Sequence, residues 1–178
     1  MMPVITEMLA RTSGPPVEFD RSVSLTREMT AKAYEYWKAA RGTRAMPARK
    51  DITPQTMRDF VQHVGLVEVR KMADGRATYF IRLAGSRIEH TFGAITGKTL
   101  SEFLPAQLEA RWRLVFDAAR EMKAPVRIAS RLAFEGKSYL AAEVLLAPLG
   151  ESDDVSMLFA GVDIWPAEPP PPGKPARA

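Results

Sequence analysis

Apolar residues recur along this chain in two rhythms, and the switches between them lay out its elements. From Ser24 onward, Leu25, Met29, Ala33, Tyr36, Trp37 and Ala40 fall at helical spacing. The pattern predicts an amphipathic helix, with Ser24 placed to cap its start and Gly42 to end it. Pro54 opens a second, short helix through Phe60. Val64 to Arg70 and Ala77 to Ala84 read as strands joined across Asp74-Gly75, a dipeptide that accepts the positive φ angles of a tight hairpin, so they are expected to pair antiparallel.

After Tyr79-Ile81-Leu83 the alternation breaks at Ala84-Gly85 into short, glycine-punctuated helical pieces, Ser86 to Phe92 and Thr99 to Leu104. Pro105 suits the first residue of a long helix. Leu108, Trp112, Val115, Ala119 and Met122 fall on its one apolar stripe, and Arg113, Asp117, Arg120 and Lys123 are expected to face water. Three strands follow, Val126 to Phe134, Ser138 to Ala147 and Val155 to Trp165, with turns at Glu135-Gly136-Lys137 and from Pro148 to Asp154. Residues 1–22 hold no sustained period and carry Gly14-Pro15-Pro16, which predicts a mobile arm; residues 23–50 form a helix and a basic connector; residues 51–165 form the domain; residues 166–178 are too proline-rich for a strand and are expected to be a disordered tail.

Composition narrows the chemistry. The 178 residues suit one domain of ordinary size plus extensions. Cysteine is absent, which removes disulfides, thiolate metal sites and cysteine nucleophiles. Neither a secretory leader pattern nor an uncharged apolar run of spanning length occurs, so a cytoplasmic location without membrane attachment is expected. A net charge of +4 leans towards anionic partners but is too small to decide anything.

The segments YWKAARGTRAMPARKDITP and YFIRLAGSRIEHTFGAITGKTLSEFLP, in this order and followed by a long helix and three strands, resemble the PAS domain. They resemble in particular a PAS-like family found mostly in alphaproteobacteria, often as single-domain proteins. The likeness runs over residues 34–165. It implies an α+β fold: a five-stranded antiparallel sheet with helices on one face, here preceded by the N-terminal amphipathic helix. It also implies a noncatalytic sensory or protein-interaction module for bacterial signalling, acting in trans through protein partners.

Candidate sites follow from placement. Tyr79, Ile81, Leu83, Ile88, Phe92, Leu100, Leu104, Trp112, Phe116, Ile128 and Leu140 are the expected cup lining, either plain core or the wall of a pocket for a small apolar ligand. Arg41, Arg44, Arg49 and Lys50 could grip an anionic partner such as a nucleotide, or staple the first helix to the domain through Asp51, Glu35 or backbone carbonyls. Nucleic acid is not expected, because aromatics are not interleaved with these basic residues. Met29, Tyr36 and Trp37 give the first helix an apolar side that must cover the outer sheet face or a twin subunit, and a homodimer is expected.

His63 and His90 are the two histidines, on different elements, and nothing completes a metal site around them. No cofactor is expected, with haem through His90 or a noncovalent flavin left open. Glu143 could pair with Arg127 or Arg131 across adjacent strands. Glu89, His90 and Glu143 are the near candidates for acid or base chemistry, which a cone-like α+β enzyme or carrier would require; no catalytic residue is assigned.

Overall fold

A computed structural model describes residues 3–132, 134–137 and 139–168. The hairpin β2 (Val64–Lys71) and β3 (Ala77–Ala84) forms where the alternation places it, with Gly75 at φ 83° in the turn. Two short helices, α3 (Ser86–Phe92) and α4 (Leu100–Phe103), lead into the long α5 (Ala106–Met122). The chain closes with β4 (Val126–Arg131), β5 (Leu140–Glu151) and β6 (Asp154–Pro166). Ser138, where the middle strand was expected to start, and residues 169–178 of the expected tail lie outside the described residues.

The sheet has six antiparallel strands rather than five, in the order β1-β4-β5-β6-β2-β3. The sixth comes from the residues expected to be a mobile arm, which instead form α1 (Pro3–Ala10) and β1 (Val17–Asp20). Strand β1 pairs along β4, with Phe19 opposite Ile128. Ile5 and Leu9 are buried, and the buried Arg111 of α5 donates from Nε to Thr12 Oγ1 at 2.9 Å and from a terminal nitrogen to the Pro15 carbonyl at 2.7 Å. An eight-residue helix and a four-residue strand are too short to show a period; contacts with the rest of the chain hold them.

Helix α2 (Glu28–Arg41) lies on the face of the sheet opposite α3, α4 and α5, the outer-face placement that was one of the two expected for it. The helix begins at Glu28, not at Ser24, which belongs to a turn closed by Asp20: the backbone N–H groups of Ser22 and Ser24 both donate to its carboxylate at 2.8 Å. Gly42 ends the helix as expected, at φ 59°.

Two further expectations change. Strand β5 runs through Pro148 to Glu151, and the reversal is confined to the residues before Asp154; the Pro148 carbonyl accepts the Trp37 indole N–H at 2.9 Å. On α5 the buried set is Leu108, Arg111, Val115, Phe116 and Ala119, while Trp112 is half-buried. Arg113, Asp117 and Arg120 are also half-buried rather than turned to water. Arg113 donates to the Ala77 carbonyl at 2.7 Å and pairs with Glu109, and Asp117 accepts the Tyr79 hydroxyl. The polar side of α5 is thus used to fasten it to β3.

Candidate functional site

Side chains alternate across a strand, so each strand sends one set of residues to each face. On the inner face Gly65, Val67, Ile81, Leu83, Ala142, Val144, Leu146, Ala160 and Val162 meet Ile88, Phe92, Ile95, Leu100, Phe103, Leu104, Trp112 and Phe116 from the helical side. Between them is a cavity of about 100 Å³. Ala84 and Leu132 complete its wall, and no lining residue has an ionisable side chain. Two of the helices that cover it, α3 and α4, are too short to be stable alone. Backbone turns hold them: Gly85 leaves no room for a Cβ, which would come within 2.4 Å of the Gln62 carbonyl oxygen. The Glu89 carboxylate accepts the N–H groups of Ile95 and Thr96 at 3.1 and 3.0 Å.

Eight of the eleven expected lining residues, from Ile81 to Phe116, reach this cavity. The other three do not. Tyr79 is fully buried against Phe116, its hydroxyl held by Asp117; burial, then the neighbouring carboxylate, push its ionisation well above the ordinary tyrosine range. Ile128 lines a separate void of about 20 Å³ beside β1. Leu140 faces a polar cleft beyond α3.

Glu143 stands on the outer face and is the most heavily bonded buried carboxylate among the described residues. Its side chain is fully buried and pairs with Arg127 Nε at 2.7 Å. It accepts the backbone N–H groups of Thr26 and Arg27 at 3.0 Å and the hydroxyls of Thr26 and Thr30 at 2.8 and 2.5 Å. It therefore caps α2 from a distant strand, satisfying N–H groups that a helix start leaves open. Burial alone would raise its carboxyl, but the bonds from Thr30, Arg127 and Thr26 together hold it below the ordinary glutamate value. Cross-strand pairing with Arg127 was legible in the sequence; burial and the capping role were not, because α2 and β5 lie more than a hundred residues apart.

None of the three acid–base candidates faces the cup. Glu89 is occupied with the loop after α3, its carboxyl lowered by the Thr96 N–H, and Glu143 lies under α2. His90 lines the polar cleft with His63. The cavity is smaller than the roughly 150 Å³ apolar site that accepts benzene, so the three fused rings of a flavin would require its walls to move. No cluster of metal-ligating side chains occurs among the described residues.

A family model described as PAS domain matches residues 25–163. The chain belongs to the PAS domain family. No match is found among curated proteins. For this PAS domain the family boundary includes α2, so the helix on the outer face is part of the family's own span.

The residues expected to form partner surfaces are largely spent within the chain. Trp37 is 0% exposed, Tyr36 stacks on Phe159 and meets Phe60 edge-on, and Met29 packs at the rim of the core. The apolar side of α2 covers its own sheet and offers Trp37 to no dimer. In the connector, Arg44 pairs with Asp51 at 2.9 Å and donates to the carbonyls of Ala40 and Arg41, Arg49 donates to the Ile52 carbonyl, and Arg41 lies over the Trp37 ring. These arginines make contacts within the chain of the stapling kind, while Arg44, Arg49 and Lys50 are exposed. Among the described residues no helix is long and apolar enough to cross a membrane.

Proposed function

We propose that this PAS domain is a noncatalytic sensory or interaction module that admits a small neutral apolar molecule to its cup and acts in trans on a protein partner. The observation that carries this reading is the cavity of about 100 Å³ with no ionisable side chain on its wall. Acid–base or nucleophilic chemistry needs a tuned polar group within reach of the substrate, whereas a dry apolar void favours uptake of an uncharged guest. Such a guest would touch Ile88 and Phe92 on α3 and Leu100 and Phe103 on α4. These helices are held by packing, so filling the void stiffens or shifts them, and their outer surfaces are where a partner would read the change.

Xenon is the simplest probe. Xenon-129 NMR of the full chain is expected to show a saturable bound signal, and Ala142→Leu, which extends a side chain into the void, is expected to remove it while circular dichroism stays native. Native mass spectrometry of protein from its own host is expected to show either no guest or a small neutral one. Retention of a charged metabolite that this protein turns over would overturn the reading, as would a cavity that takes no xenon.

A further inference from the structure

The two histidines, far apart in sequence, are brought to one concavity on the far side of α3. There His63, Arg87, His90, Lys137 and Asp163 line a cleft of about 260 Å³. Its walls come from the turn before β2, from α3, from the β4–β5 connection and from β6. Helix α3 is shared: Ile88 reaches both this cleft and the apolar cavity, while Arg87 and His90 look only into the cleft.

The charges in the cleft are unbalanced. Asp163 is already paired with Arg27 at 3.2 Å. Arg87 has no carboxylate or carbonyl partner among the described residues, and Lys137 uses one N–H on the Thr91 carbonyl, leaving two. His63 is 8% exposed and Nδ1 lies 2.9 Å from the Val162 carbonyl; a carbonyl only accepts, so Nδ1 donates, and Nε2 has no partner among the described residues. His90 has no hydrogen-bond partner among the described residues either. Two cations without a carboxylate partner of their own, a guanidinium and an ammonium, lie in one concave site and repel one another unless an anion joins them.

We propose that this cleft binds a small soluble phosphomonoester. A carboxylate brings a single charge, whereas a phosphate monoester presents three terminal oxygens and two charges to match the guanidinium of Arg87 and the ammonium of Lys137. The volume leaves room for a phosphate and a small body beyond it. A metal is not the better fit, since no set of three or more ligating side chains gathers there among the described residues.

The test is a proton–nitrogen NMR titration of the full chain at constant ionic strength, with inorganic phosphate and glycerol 3-phosphate as soluble probes and phosphatidic acid vesicles as a separate arm. Saturable shifts confined to α3, Lys137 and Tyr139 are expected with both soluble probes. Arg87→Gln and Lys137→Gln are each expected to weaken binding about tenfold at unchanged melting temperature. Arg76→Gln, which removes a charge from the exposed β2–β3 turn, is expected to leave it intact. Shifts that never saturate, an equal loss in Arg76→Gln, or binding to vesicles without binding to either soluble probe would overturn the proposal.

Discussion

The two faces of the sheet are built from neighbouring residues and packed to opposite ends. On the outer face one continuous helix lies so close that a Cβ added at Gly161 would sit 2.6 Å from the Ala33 Cβ. Trp37 on its underside and Glu143 beneath it are fully buried and bonded. On the inner face the cover is broken into α3, α4 and α5, and a Cβ added at Gly65 meets its neighbours at an ordinary 3.6 Å. Yet Gly65 sits opposite Ala160 in the β2–β6 ladder, the residue next to Gly161. A single regular helix with small residues at the contact approaches a sheet closely; short helices meeting at angles do not, and the space they leave is the cavity.

Removing the outer anchor should have the largest effect. Glu143→Ala takes from the buried Arg127 its buried carboxylate, leaving only the more exposed Glu18, and opens the N–H groups at the start of α2, so a loss of about 3 kcal/mol in urea unfolding is expected. A loss near that of an exposed pair would mean that α2 is held by its apolar side alone.

The pH dependence sharpens the same point. The folded Glu143 carboxyl lies below its ordinary value of 4.5, so its contribution is complete above that value and is lost as pH falls through the folded value. Stability measured from pH 6 downward is expected to fall in acid, and Glu143→Gln is expected to flatten that fall. An unchanged slope would remove Glu143 from the account of acid sensitivity.

The finest comparison adds one methyl group to each face. Gly161→Ala must push α2 outward and is expected to cost about 1–3 kcal/mol, partly recovered by Ala33→Gly in the same chain. Gly65→Ala enters ordinary contact beside the void and is expected to change stability by less than about 1 kcal/mol, with either sign. Equal costs at the two glycines would break the contrast between a closed outer face and an open inner one.

Much of the inner face was legible because its helical side is made of short pieces, each marked by glycine or proline, and because β2 and β3 alternate. The strand side was not. Strand β5 is buried from Ala142 through Gly150 without interruption, so period two is erased, and Ala142, Val144 and Leu146 could not be told from Glu143 and Leu145 by pattern. That erasure is itself the imprint of α2 on the outer face. Nothing in the sequence marked Arg111 for burial, for a related reason: an arginine on a helix reads as solvated, and its partners Thr12 and Pro15 lie in a segment whose shortness hides its structure.

Local periodicity and turn chemistry, by themselves, determined the hairpin at Asp74-Gly75, the long helix after Pro105, the order of helices and strands from α2 onward and the family likeness that the order and its motifs carry. These depend on neighbours a few residues away. Only the tertiary structure decided that residues 3–20 add a helix and an edge strand, that α2 spends its aromatic side on its own sheet, that Glu143 caps a helix from a distant strand and that His63 and His90 share a cleft. Each of those joins groups separated by many residues, where burial and hydrogen-bond satisfaction, not spacing along the chain, choose the partner.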